Sequence, residues 1–358
     1  MEYFDKYVSN TLASTGNQSF FISDKTIQTC KLYYKVFEKG RHEYSFLFSN
    51  IIDSTYADGS ISHKNLICED WEIIHLKTGI SKDCNPDNKA EMKELSFDGK
   101  TKKTVHPGEF FNTDPVYLEP DENSYICIEL SYSGGMIPCH VENLIPSFSL
   151  VEGKWLPSKE IPVISMLGVS RCVKARIGYL GDSITQGIGT AENSYMHWNA
   201  LLSEKLGHEY SYWNLGIGFG RAADAASDGA WLYKAKQTDI TIVCYGVNDI
   251  LCGYNAFDIK KNLSEILFKL KAAGNKVLLQ TIPPFDYNDR AMKIWLDVNA
   301  YIMHELKNYA DLVFDTVPIL QENEKNPGKA KYNGHPNAMG CAVWAKSLYN
   351  FIKNNKWL

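Results

Sequence analysis

Ile177-Gly178-Tyr179-Leu180-Gly181-Asp182-Ser183-Ile184-Thr185-Gln186-Gly187 is the stretch whose reading decides the fold of this chain. It begins at the end of a short apolar segment, Val173 to Leu180, and passes through small and polar residues into a helix-like pattern. A serine just past the C-terminal end of a buried strand, flanked by small residues, is where an α/β protein can hold an exposed nucleophile over backbone N–H groups.

Working outward, the C-terminal half alternates strands with helices. Ile240-Thr241-Ile242-Val243-Cys244-Tyr245 and Val277-Leu278-Leu279-Gln280-Thr281-Ile282 are near-continuous apolar runs, the pattern of parallel strands covered on both faces. Between them Ile259, Leu263, Ile266, Leu267 and Leu270 form a helical stripe. Met292, Trp295, Leu296, Asn299, Ile302, Met303 and Leu306 form a second, with one polar member. Leu312-Val313-Phe314 reads as a last strand and Ala338 to Phe351 as a closing helix. Five strands with intervening helices predict a three-layer, flavodoxin-like α/β/α sheet, with reactive groups at the C-terminal strand ends.

The first half has a different grammar. Tyr44, Phe46 and Phe48 alternate with Ser45 and Leu47, as expected for one face of a strand. Tyr125 to Tyr132 is another β-rich run. Turn signals separate such runs: Asp58-Gly59, Asp98-Gly99, Pro107-Gly108 and Gly134-Gly135. No long 3.6-residue period appears between about 30 and 150, so an antiparallel β-sandwich is expected. The division falls between Ser149 and Arg171, a segment with Pro157 and Pro162; we draw the domains as 1–165 and 166–358. A length of 358 residues suits two cores better than one.

Composition excludes several classes. A net charge of −5 and the absence of a long Lys/Arg block argue against nucleic-acid binding. No stretch approaches the roughly 20 apolar residues that cross a bilayer, and no amphipathic lid is evident. The N-terminus lacks a basic region followed by an apolar run, so a soluble, cytoplasmic protein is expected. The nine cysteines show no Cys-x-x-Cys pair, so buried free thiols are the expectation and neither metal nor cofactor is implied.

Three later blocks complete a set with Ser183: Asn214-Leu215-Gly216-Ile217-Gly218-Phe219-Gly220, Gly246-Val247-Asn248-Asp249 and Gly334-His335-Pro336-Asn337. Serine, glycine, asparagine and histidine in this order and context resemble the SGNH (GDSL-type) hydrolase family, from about Ala175 to the C-terminus. The N-terminal half resembles the jelly-roll-like β-sandwich that precedes the catalytic domain in a two-domain subset of these esterases. The segments concerned are Phe48-Ser49-Asn50, Phe97-Asp98-Gly99-Lys100, Val105-His106-Pro107-Gly108-Glu109 and Thr113-Asp114-Pro115-Val116. For their individual residues, ordinary turn chemistry is the better reading.

Ester hydrolysis needs a nucleophile, a proton shuttle and oxyanion donors. The resemblance implies Ser183 as nucleophile, against the bland role of helix N-cap. It implies His335 as general base and Asn248 as an oxyanion donor, where an Asx-turn with Asp249 is the alternative. His197 and His208 read as ordinary helix residues. The glycine loop supplies further donors. The family's usual glycine falls at Phe219, so Gly218 or Gly220 takes its role. The Gly-x-Gly-x-x-Gly dinucleotide spacing fails at Arg221.

The family's usual aspartate, three residues before the histidine, is Tyr332 here. Three arrangements remain: a carboxylate from elsewhere (Asp315, Glu322 or Glu324), a Ser–His dyad held by Asn333 or a backbone carbonyl, or a decayed site. The dyad is preferred, because nucleophile, base and oxyanion groups are all present. Asp182 reads as a loop brace, Tyr195 and Trp198 as core, and Ile282-Pro283-Pro284-Phe285 as a substrate-pocket wall. The expectation is a serine esterase for small acyl esters, acetyl groups on carbohydrate foremost. The alternatives are a GDSL lipase or phospholipase, and an inactive carbohydrate-binding pseudo-hydrolase.

Overall fold

The computed structural model describes residues 2–22, 26–53, 66–88 and 91–358. The turn expected at Asp58-Gly59 lies outside the described residues. Two compact units separate between Cys172 and Val173.

The first unit is antiparallel throughout. One sheet is built on His42–Ser49, flanked by Met166–Ser170 and Phe110–Asn112. A larger one is built on Gln28–Lys35, Tyr125–Gly134 and Trp71–Ser81. Met166–Ser170 pairs with both Tyr7–Ser9 and His42–Ser49, which carries this unit past residue 165, where the sequence-drawn division lies. His42–Ser49 departs from simple alternation. Ser45 and Leu47 are as buried as Tyr44, Phe46 and Phe48, because the strand is covered on both faces. The Ser45 hydroxyl meets that burial by donating to the Thr113 carbonyl.

The short segments of the N-terminal resemblance join one another. Asp98 and Gly99 both adopt left-handed backbone in a tight turn closed by Phe97 and Lys100. The Asp114 carboxylate accepts from both turn N–H groups and from the Ser96 hydroxyl, which holds its pKa below the usual carboxylate value. Asn50, fully buried, donates to the carbonyls of Glu69 and His106 and accepts from the Trp71 indole N–H. These residues are structural, as turn chemistry predicts.

The second unit contains five parallel strands: β1 (Ala175–Gly181), β2 (Tyr210–Gly216), β3 (Ile240–Cys244), β4 (Lys276–Gln280) and β5 (Leu312–Phe314). Its helices are α1 (Ser183–Gln186), α2 (Trp198–Leu206), α3 (Ala222–Ala226), α4 (Ala230–Ala235), α5 (Val247–Leu251), α6 (Ala256–Ala272), α7 (Asp289–His304), α8 (Val317–Leu320) and α9 (Ala338–Asn354). The strand order β2-β1-β3-β4-β5 is the flavodoxin-like order, whose switch point lies between β1 and β3. β2 and β3 are buried along their whole length, as strands covered by helices on both faces must be.

The predicted α6 stripe is buried residue for residue. The α7 stripe is rotated: Trp295, Val298, Asn299 and Ile302 face inward, while Leu296 is 46% exposed. The polar member accounts for the difference. Asn299 accepts from the Ile282 N–H at 2.8 Å and donates to the Ile282 carbonyl at 3.0 Å, so α7 turns to pair the backbone leaving β4. Six cysteines are buried as expected, but Cys84 is half-exposed and Cys172 and Cys252 are exposed. Among the described residues, no helix is long and apolar enough to cross a membrane.

Candidate active site

β1, β2 and β3 end in register, with Gly181 beside both Gly216 and Cys244. The three loops that carry Ser183, the 216–220 glycines and Asn248 therefore leave the same edge side by side. That edge is the switch point, where adjacent crossovers diverge and open a crevice.

Ser183 is the first residue of α1. The N-cap is Asp182, whose carboxylate accepts from the Ile184 N–H at 3.0 Å. Capping, the bland role for Ser183, is thus carried by its neighbour, and the Ser183 hydroxyl points elsewhere. Its Oγ lies 2.8 Å from His335 Nε2, close enough for direct proton transfer. α1 seats directly on the end of β2. A Cβ at Gly216 would come 2.1 Å from the Gln186 nitrogen, so only glycine allows this packing.

His335 sits in a turn leading to α9, whose first turn is capped by Asn337. The ring is partly buried, and burial alone holds its pKa below the usual histidine value. The Phe285 ring meets it edge-on, with centroids 5.2 Å apart and planes at 80°.

Among the described residues no carboxylate lies within ion-pair distance of the ring. Asp315 accepts from the Thr281 hydroxyl and the Val317 N–H, bracing the entry to α8. Glu322 accepts from the Asn326 side chain. Tyr332, at the family's aspartate position, packs against α9; a Cβ on Gly340 would come 2.6 Å from its Cβ.

The 216–220 loop closes on itself. The Gly220 N–H donates to the Ile217 carbonyl at 3.1 Å, so it is consumed by the turn, whereas the Gly218 N–H is not. Phe219 holds a φ of 60°, the left-handed backbone that favours the glycine usual there. Asn248, in the first turn of α5, donates to the Gly220 carbonyl at 3.0 Å. Its amide therefore spans from the β3 loop to the β2 loop and retains a second N–H. Asp249 makes no Asx-turn with it. Its buried carboxylate reaches the N-terminus of α3, accepting from Ala222 at 2.8 Å and Ala223 at 3.4 Å.

Two carboxylates lie behind these loops. Burial pushes Asp182 up to about 7 and Asp249 up to about 6, against the opposing effect of their N–H donors; each is also raised by a neighbouring aspartate charge. Beside them Arg221 and Asp224 form a buried bidentate pair at 2.9 and 3.0 Å. His197 is buried at the start of α2 and His208 is exposed.

Sequence reasoning missed the contacts that Asn299, Gly189 and Phe285 make with distant segments. Asn299 was visible as the polar residue in an apolar stripe. Phe285 stood out only as part of a strand-exit segment, and Gly189 carried no local signal.

Residues 179–343 match the model of the GDSL-like Lipase/Acylhydrolase family. No curated protein matches the chain. Among solved structures, a lipolytic protein of the G-D-S-L family from Veillonella parvula is 17% identical, covering 50% of this chain and 98% of its own, with a TM-score of 0.41. The psychrotrophic esterase EstA from a Pseudoalteromonas species is 19% identical, covering 50% and 97%, with a TM-score of 0.39. A carbohydrate acetylesterase family member from Sinorhizobium meliloti is 14% identical, covering 51% and 99%, with a TM-score of 0.40. The match to the GDSL-like Lipase/Acylhydrolase model lies within the second unit, whose 2-1-3-4-5 sheet carries the four sequence blocks.

Proposed function

We propose that this protein is a serine esterase that hydrolyses small acyl esters, acetyl groups on carbohydrate foremost. The observation that carries the reading is the 2.8 Å approach of Ser183 Oγ to His335 Nε2 at the switch point of the sheet.

Ser183 Oγ attacks the acyl carbon while its proton passes to His335 Nε2. The negative charge gathers on the former carbonyl oxygen. The Ser183 N–H, the Gly218 N–H and the free hydrogen of the Asn248 amide are the donors assigned to it. Collapse expels the alcohol, which takes the proton from His335. Water then attacks the acyl-serine, His335 accepts its proton and returns it to Ser183, and the carboxylic acid departs. No step needs a metal or cofactor.

The test is p-nitrophenyl acetate turnover by the wild type, Ser183→Ala and His335→Ala. Activity that falls by about three orders of magnitude or more in both variants supports the reading. An acetyl-over-decanoyl preference separates it from a lipase or phospholipase. One observation favours the inactive carbohydrate-binding alternative: Tyr332 packs on α9 instead of holding the imidazole. Failure of a fluorophosphonate to label Ser183 in the wild type would favour that alternative.

A further inference from the structure

Among the described residues no acid stands within ion-pair distance of the imidazole that meets Ser183, while an aromatic ring packs against it. We propose that Phe285 is the positioning residue of His335, fixing by packing what a carboxylate would fix by hydrogen bonding. The proposal rests on the Ser–His reading given above.

Three layers of contact support it. The first is the edge-on ring pair, at 5.2 Å and 80°, a favoured aromatic geometry. The second is the seat of the Phe285 ring. Gly334, next to the histidine, lies so close that an added Cβ would stand 2.9 Å from Phe285 Cδ2 and Cε2. A side chain at 334 would have to push the phenyl ring out of its present seat.

The third layer is the stiffness of the segment that carries Phe285. Asn299 pairs both polar groups of the Ile282 backbone, and the Trp295 indole donates to the same carbonyl at 2.8 Å. The Tyr287 hydroxyl donates to the Pro283 carbonyl at 3.2 Å. Phe285 is therefore bracketed by a side-chain clamp on each side. From the opposite direction Gly189, at a φ of 101°, packs on the backbone of the histidine turn; a Cβ there would stand 2.7 Å from the His335 carbonyl.

The groups around the ring are few. Ser183 meets it from α1 and Phe285 from the β4–α7 connection, while Gly189, in the turn after α1, packs on the His335 backbone. From α9, the Cys341 thiol donates to the Pro336 carbonyl at 3.4 Å, and burial pushes that thiol up to about 12. On the same loop the Lys331 ammonium lies over the Tyr332 ring, 5.4 Å from its centroid. Among the described residues none of these makes an ion pair with the imidazole, so its solvent exclusion sets its basicity. Phe285 supplies part of that exclusion.

The experiment combines steady-state p-nitrophenyl acetate kinetics with an NMR titration of the His335 ring, its signal assigned by loss in His335→Gln. The variants are Phe285→Ala, Phe285→Tyr and Gly334→Ala. The expected result for Phe285→Ala is a fall in kcat of about 10²-fold, the effect of roughly 1 Å of misplacement, with KM little changed. Its His335 midpoint moves up toward the ordinary value of about 6.5. Phe285→Tyr restores both, and Gly334→Ala, which displaces the ring, lowers kcat as Phe285→Ala does.

A raised KM with an altered acyl-length preference, unchanged kcat and an unmoved midpoint would make Phe285 a pocket wall and overturn the proposal. The titration distinguishes this failure from failure of the esterase reading. In an enzyme inert toward esters, a midpoint that still moves in Phe285→Ala upholds the packing role, and an unmoved one ends it. If Phe285→Ala does not fold, Phe285→Tyr and Gly334→Ala decide.

Discussion

The Asn248 side-chain amide donates to the Gly220 carbonyl at 3.0 Å, bridging the loops that follow β3 and β2. One hydrogen of the amide is thereby occupied and its direction is set, which leaves the other aimed by the same bond. Replacing Asn248 with alanine removes a donor and also releases the 216–220 turn. The expected loss in kcat is about 10² to 10³, the usual effect of deleting one oxyanion donor. Asn248→Asp keeps the size but loses both N–H groups, so it should fall at least as far. Steady-state kinetics with an acetyl ester check this; activity within a few-fold of the wild type would remove Asn248 from the oxyanion site.

The Asp182 carboxyl has a pH consequence whose sign is opposite to that of an ion-paired aspartate. Its folded value, about 7, lies above the ordinary value. The native state therefore holds the proton more tightly than the unfolded chain. This group's contribution to stability is greatest at about pH 4, falls as the pH rises toward 7, and is flat above that. Asp182→Asn retains the cap on Ile184 and abolishes the titration. Melting temperatures should converge near pH 4 and separate in favour of the variant near pH 8. Parallel curves for the two proteins would show that burial of this carboxyl is compensated. Asp249, raised in the same direction, leaves part of the slope in the variant.

In the proposed mechanism His335 must be neutral to accept the serine proton. Burial lowers its pKa, so the acid limb of kcat/KM should have its midpoint below the ordinary histidine value of about 6.5, with a plateau across neutral pH. A midpoint above that value would reveal a negative group close to the ring.

Arg221 and Asp224 are both nearly inaccessible, and Asp224 also accepts from the Arg221 backbone N–H at 3.0 Å. Asp224→Ala strands a buried guanidinium beside the 216–220 loop and should cost about 3–5 kcal/mol. Arg221→Met combined with Asp224→Asn should cost much less than the sum of the single changes. Urea unfolding of the four proteins gives the coupling; additivity would show that the pair contributes nothing beyond its separate parts.

Much of this arrangement is legible from local pattern. The α6 stripe and the strands Ile240–Cys244 and Leu312–Phe314 follow from hydrophobic periodicity, because each side chain's environment repeats along its own segment. Ser183 and His335 stand out because each is embedded in a short block at a strand or helix end. What escapes the sequence is pairing between distant segments. Asn299 reads as a flaw in an apolar stripe until Ile282 is seen beneath it. Phe285 reads as a strand-exit residue, and nothing in its own segment shows that its ring meets His335. Gly220 reads as a donor until its N–H is found already used. In each case the deciding partner is remote in the chain or hidden in backbone geometry.

The pairing of Ser183 with His335 spans 152 positions and crosses four parallel strands. Such contacts form late, because long loops must close before the contacts they permit can compensate. Recovery of the proposed esterase activity on refolding should therefore lag the recovery of helical signal, and regained turnover would time the docking of α9 and its histidine turn.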